Sequence, residues 1–295
     1  MMSVEVFGDR LQGASALAKI RVCSVLLCSV LAGCAGKLQK PDGPVALAYG
    51  GAAGEKHAYE VELTLRGQVA LQGVPQLVAM KLAGRLQERI DEVRKDGSRR
   101  VSLIYDFSPL EVNGMIAGEE QFPRHLEIAA VRSRTGEVES PAGQSLAGQG
   151  SAADSGALGW TMRFLCGLTP LLPASPVMPG EKWETVRSAP APGGGEFRIL
   201  ADGVLKGMIP DISPVAGAGR IAKLSAGGSV VLVKPASGDG LELFHLEYTG
   251  DAGFGLAGGC VVEAKREGRI RMKARNGSNR VEARLGFTST LKAAV

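Results

Sequence analysis

Aromatic residues make up only 5% of this 295-residue chain, which also holds just 3 histidines and 5 cysteines. With so few rings the core must come from Val, Leu, Ile and Ala, and 41 glycines point to many turns. His57, His125 and His245 stand alone in separate segments, so the sequence offers no metal-ligating set. There is no HExxH and no Gly-x-Ser-x-Gly. Ser289-Thr-Leu-Lys292 matches Ser-x-x-Lys in form, but neither Ser-Asp-Asn nor Lys-Thr-Gly accompanies it. Gly51-Ala-Ala-Gly-Glu-Lys56 lacks the spacing and the closing Ser or Thr of a phosphate loop. A net charge of +4 is no nucleic-acid signature. These absences predict a protein that is not an enzyme, with no metal, no cofactor and no nucleic-acid partner.

Long apolar runs are scarce as well. Val22 to Ala32 spans eleven mostly apolar residues, too few for a spanning helix of about 20 but right for the apolar stretch of an export signal. Lys19 and Arg21 precede it, and Leu31-Ala32-Gly33-Cys34 closes it. These residues resemble the signal peptide and lipobox of bacterial lipoproteins. The resemblance implies cleavage before Cys34, which then carries a covalent lipid, palmitate included, and anchors the chain to a membrane. Two or more acyl chains make such anchoring stable. Ala35 follows the cysteine where an aspartate is absent, which in that family implies sorting to the outer membrane, facing the periplasm. The signal covers residues 1–33, and its head, Met1 to Ala18, carries Glu5 and Asp9 and is unusually long. A start read at Leu17 would leave residues 1–16 untranslated and set Lys19 and Arg21 directly against the apolar run.

Removing residues 1–33, with Arg10, Lys19 and Arg21 against Glu5 and Asp9, leaves 262 residues and lowers the net charge from +4 to +3. That length suits one large β-rich domain or two smaller ones. Cys23 and Cys28 leave with the signal, so Cys166 and Cys260 remain. Export to an oxidising compartment permits a Cys166–Cys260 disulfide. The other reading, two small buried hydrophobes, follows from the apolar surroundings of both.

Residues 34–56, rich in Gly, Ala and Pro, read as a lipidated flexible tether, and a β-rich domain is expected over 57–295. Tyr59, Val61, Leu63, Leu65, Val69 and Leu71 alternate with polar residues, the period of a long half-buried strand. Leu77 to Arg94 fits a helix face and a strand face alike; Asp96-Gly97 just beyond it favours a strand entering a hairpin, with Val101, Leu103 and Tyr105 returning. Another hairpin is expected over Arg124 to Glu139. Ser140 to Gly156 is low in complexity and reads as a loop. Ala157 to Leu172 is the best helix, with Leu158, Met162, Leu165, Cys166 and Leu168 on one face and Pro170 and Pro173 stopping it, and its place is across the concave face of the sheet. Beyond it, short runs separated by Ala226-Gly227-Gly228, Gly238-Asp239-Gly240, Glu267-Gly268 and Asn276-Gly277 predict an antiparallel meander. The fold class is therefore mainly β: a large curved antiparallel sheet, half-barrel-like or a two-lobed meander, with one short central helix. Its halves would be 57–140 and 176–295, joined through 141–175.

Pro176-Val-Met-Pro-Gly-Glu-Lys-Trp183 after the helix resembles the middle of uncharacterised β-rich envelope lipoproteins, whose sheets look similar to the half-barrel of periplasmic lipoprotein carriers. That resemblance implies a concave face that holds lipid, and it transfers no active-site residues. Arg269, Arg271, Lys273 and Arg275 share one strand face, with Ile270, Met272 and Ala274 on the other. Such a row suits anionic lipid headgroups or a solvated outer face. The functional expectation is a membrane-anchored envelope lipoprotein binding a lipid or other apolar ligand on the concave face of its sheet. The alternative is a structural or adaptor lipoprotein that binds another envelope protein.

Overall fold

The computed structural model describes residues 38–117, 122, 124–139, 161–162, 164–191, 195–211, 219–235 and 240–294. One antiparallel sheet of thirteen strands organises them. In chain order these are β1 (Lys56–Leu71), β2 (Val74–Val93), β3 (Arg99–Phe107), β4 (Glu111–Val112), β5 (Met115–Ile116), β6 (His125–Arg132), β7 (Val138–Glu139), β8 (Lys182–Ala191), β9 (Gly195–Asp211), β10 (Gly219–Lys234), β11 (Gly240–Gly255), β12 (Cys260–Asn276) and β13 (Asn279–Ala293). Their spatial order is β7-β6-β3-β2-β1-β13-β12-β11-β10-β9-β8, with the β4–β5 hairpin attached to β2. The two expected halves are therefore one continuous sheet, because β1 pairs with β13 from Tyr59↔Ala293 to Leu71↔Val281. The sheet curls until its two ends approach: Arg187 of β8 meets Glu137, just before β7, at 2.5 Å.

Alternation dictates the faces. Val61, Leu63 and Leu65 of β1 and Met80, Leu82, Leu86 and Ile90 of β2 all turn inward and are buried. Leu77 to Arg94, ambiguous by spacing, is thus strand, and the Asp96-Gly97 turn closes as expected, with the Ser98 amide donating to Asp96 Oδ1 at 2.9 Å. At the opposite end the β1–β2 turn is Gln72-Gly73, both with positive φ (50° and 82°), the two-residue geometry that suits the twist of a hairpin. A second turn of this kind, Asn113-Gly114 (52° and 80°), makes the small β4–β5 hairpin, which the sequence reading passes over.

Three expectations need correction. Ala226-Gly227-Gly228 and Glu267-Gly268 are not turns: β10 and β12 run straight through them. The glycines are there because aromatic rings and neighbouring backbone occupy the Cβ position. A Cβ on Gly268 would lie 2.1 Å from Glu247 O and 2.6 Å from the Phe287 ring, and one on Gly228 would lie 3.0 Å from Tyr248 Oη. The expected tether is also shorter than 34–56. Val45, Leu47 and Tyr49 are buried, Val45 exchanges backbone hydrogen bonds with Val177, and the Tyr49 amide donates to Arg134 O.

The concave side is filled by the chain itself. Residues 45–49 cross it together with a short helical segment, 161–162 and 164–167, whose Met162, Leu165 and Cys166 are buried. Helix is lost after Gly167, ahead of Pro170, so it stops short of the expected Leu172, while 157–160 lie outside the described residues. Trp183, launched by the Pro179-Gly180 turn, donates through its indole to Leu171 O at 3.1 Å and pins the segment that follows the helix. Arg132 locks the same region from the sheet. It meets buried Glu88 at 3.0 Å, donates to Thr169 Oγ1 at 3.1 Å, and stacks its guanidinium 4.9 Å from the centre of the Tyr49 ring.

Tyr49 also donates its hydroxyl to Pro170 O at 2.9 Å and packs edge-on against Phe254. Burial, only partly opposed by Arg132, pushes its phenol up to about 12 from 10.0. Because the folded chain holds this proton more tightly than the unfolded one, the associated stability is whole below pH 10 and is lost as the pH rises towards 12. The loss is roughly 2–3 kcal/mol. Denaturant titrations at pH 8 and pH 11.5 should show this drop, and Tyr49→Phe should shrink it. An equal drop in the variant would assign the alkaline sensitivity elsewhere.

Candidate functional site

Cys34 lies outside the described residues, but the point where the described chain begins is fixed. Gln39 bridges Met208 on β9, and Met208 pairs with Ala222, Ala222 with Phe254 and Phe254 with Val261. These positions lie at the end of the sheet that carries the β11–β12 turn, here called the lower pole. The β1–β2 and β12–β13 turns mark the upper pole. Val261 and Ala274 of β12 are thirteen residues apart, so the poles stand about 40 Å apart at roughly 3.3 Å per residue.

The upper flank carries several exposed large apolar side chains. Leu71 is 48% exposed, Val74 61%, Leu77 80%, Met115 70% and Ile116 73%. Asn113 clamps the β4–β5 hairpin to β2: its amide donates to Ala79 O, its Oδ1 accepts from the Ala79 amide at 2.7 Å, and its Nδ2 donates to Leu77 O at 3.3 Å. By alternation Leu77 and Ile116 lie on the outer face of this flank, and Leu71, Val74 and Met115 on the other. Strand β3 pairs with β2 only from Gly84 onward, and β4 covers only Met80 and Lys81. Among the described residues, no strand pairs with the side of Val74–Val78 that faces away from β1. Pro75, which lacks an amide proton, partly blunts that edge.

The outer face carries the cationic row where the sequence places it. Ile270, Met272 and Ala274 are buried, and Arg269, Arg271 and Lys273 point outward with half-exposed Arg275. Lys273 meets Glu282 and Arg275 meets Glu242, each at 2.7 Å. The hydrogen bond from Lys273 helps hold the Glu282 carboxyl below its ordinary range. Arg271 sits in register between His245 and Arg284, so positive charge persists at that one position. Beside Arg269 a broad depression of about 1190 Å³ opens, lined by Thr64, Arg66, Asp202, Glu247, Glu267 and Thr288 among others. Its charges are mixed in sign, and it lies on the opposite side of the sheet from the expected concave ligand site.

The remaining candidates are dispersed. His57 pairs with Glu55, His125 with Asp106 and His245 with Glu247, and no cluster of three or more metal-ligating side chains occurs among the described residues. Ser289 and Lys292 are three apart on a strand, hence on opposite faces; Ser289 is buried and Lys292 exposed. Cys166 and Cys260 are both buried and are not joined as a disulfide. Gly167, next to Cys166, backs onto Tyr105 of β3, whereas Cys260 opens β12 at the lower pole near Tyr59, so each fills a different part of the core. Burial alone pushes the Cys166 thiol up to about 12, which makes it inert.

One pair of core residues escapes the sequence reading. Arg266 is 4% exposed and Ser289 2%; they are register partners on β12 and β13, and both turn inward. The signal was present: the inward series Ala274, Met272, Ile270 continues at two-residue steps through Gly268 to Arg266, once β12 is read as one strand.

No family model matches this chain, and no curated protein does. Among solved structures, an outer membrane channel from Pseudomonas putida F1 aligns over 87% of this chain and 100% of its own at 6% identity, with a TM-score of 0.25, a likeness too slight to bear on fold or function. No helix among the described residues is long and apolar enough to cross a membrane.

Proposed function

We propose that this chain is a lipid-anchored envelope lipoprotein that acts as a docking module without catalysis. Cys34 holds it to the membrane, and its upper flank receives an apolar, strand-forming segment of another envelope protein. The observation that carries this reading is the set of apolar side chains along this flank, Leu71, Val74, Leu77, Met115 and Ile116, exposed by 48% to 80% on the two faces of an incompletely paired stretch of β2 and its hairpin. Such a surface combines backbone groups for strand addition with side chains for specificity. The anchor favours a protein over the anchoring bilayer as the occupant. Leu38 lies four positions after Cys34, a reach of at most about 14 Å, while Leu71 lies about 40 Å along the strands from the lower pole. A lipid ligand on the concave face is the weaker reading, because Tyr49, Leu165 and Leu172 occupy that space.

A photo-crosslinking residue at Leu77 in cells should capture a discrete protein band, and Leu77→Asp combined with Ile116→Asp should abolish capture from a probe at Val74, with palmitate labelling unchanged. Capture of lipid alone, or capture indifferent to the two aspartates, would overturn the docking surface. Absence of palmitate on the wild-type chain would overturn the anchor.

A further inference from the structure

Arg266 lies inside the core with no carboxylate beside it among the described residues. Its Nη2 atom is buried and makes no hydrogen bond, and the same is true of Ser289 Oγ on the adjoining strand. The charged or titratable groups that perturb it are tyrosines, Tyr248 and Tyr49, and burial pulls its guanidinium down from the ordinary arginine range. By contrast the other deeply buried cation, Arg132, has Glu88 at 3.0 Å. A buried ion that lacks a counter-charge and a buried hydroxyl that lacks a partner are each exceptional in native folds; here they stand side by side in register. On the other flank, Gly250 pairs with Arg266 and contributes no side chain; a Cβ there would crowd Arg266 Cγ at 3.0 Å.

We infer that Arg266 and Ser289 form an internal site for an oxyanion, a carboxylate or phosphate group that supplies the missing charge and accepts from both donors. A guanidinium and a hydroxyl side by side on the inward face of adjoining strands are a donor set that such groups select. The neighbouring phenols exclude water, so the interaction is strong for its size. The shape of the interior argues for a small group: Leu63, next in register beyond Ser289, and Leu82 beyond it are fully buried. The group is either a free anion or the head of an amphiphile, and this inference is independent of the docking reading of the upper flank.

The test is thermal unfolding of the full chain, purified in detergent, with sodium phosphate, with oleate, and with sodium chloride at matched ionic strength. Saturating phosphate or oleate should raise the midpoint by about 5 °C over chloride. A rise with phosphate identifies a free oxyanion and a rise with oleate an amphiphile headgroup. Arg266→Met should abolish the rise while unfolding at no lower temperature in anion-free buffer, and Ser289→Ala should reduce it. Equal midpoints in all three salts for the wild type, or an undiminished rise in Arg266→Met, would overturn the site.

Discussion

Glu88→Ala is expected to lower the unfolding free energy by about 4 kcal/mol. The Glu88 and Arg132 side chains are only 8% and 3% exposed, and removing one member of a buried pair strands the other charge in a medium that cannot solvate it, at roughly 3–5 kcal/mol. Arginine cannot escape by losing its proton. Burial is the largest single influence and pulls the Arg132 guanidinium down, but Glu88 together with Tyr49, Tyr59 and Tyr105 outweighs it and the net direction is upward. The loss would not stay local, because Arg132 also holds Thr169 and the Tyr49 ring and so fastens the two segments that fill the concave side. The double variant Glu88→Leu, Arg132→Met should recover most of the loss, since an apolar pair of similar volume needs no solvation. Urea titration of the single and double variants measures both terms. A single variant within 1 kcal/mol of the wild type would mean that water reaches Arg132.

How much of this fold was legible depended on which physical signal each element carries. β1 and β3 announce themselves through strict alternation, and β2 through alternation plus the Asp-Gly turn that follows it. The segment 45–49 gave no such signal: Val45, Leu47 and Tyr49 do alternate, but within a Gly- and Ala-rich stretch, and it is long-range pairing to Val177 and Arg134 that orders them. The exposed cluster was illegible for the opposite reason. Val74 continues the inward two-residue series of Met80 and Leu82, and the missing partner strand above Gly84 leaves it bare, while Leu77 falls on the outward face by the same period and reads as an ordinary apolar residue until its exposure is seen. The cationic face of β12 was legible because it obeys the two-residue period; Arg266 obeys the same period on the inward face, where a sequence reader expects no charge.

The largest misreading concerned glycine, and it leads to the other large effect: Gly268→Val should cost about 4 kcal/mol. Gly268 occupies the middle of β12, in register with Phe287 on one side and Tyr248 on the other; Tyr248 in turn pairs with Gly228. Across the inward face, large rings thus alternate with bare glycines, and the Phe287 ring lies over the space a Cβ on Gly268 would need. A flexible side chain would swing aside, but the nearest obstacle is the Glu247 carbonyl oxygen at 2.1 Å, a ladder atom that moves only if the β11–β12 pairing moves. Overpacking a core costs roughly 1–3 kcal/mol, and each ladder hydrogen bond weakened by the displacement adds about 1 kcal/mol. A β-branched side chain favours strands elsewhere, so propensity alone predicts that valine stabilises β12 while close packing predicts the reverse. Gly286→Val provides the comparison on the adjacent strand, because that glycine faces outward and its Cβ would find nothing closer than 3.8 Å. Thermal unfolding of the two variants should separate them by at least 5 °C, with Gly268→Val the less stable. Equal midpoints would show that β11 and β12 shift apart freely, and that Gly268 marks a flexible joint between two shorter strands.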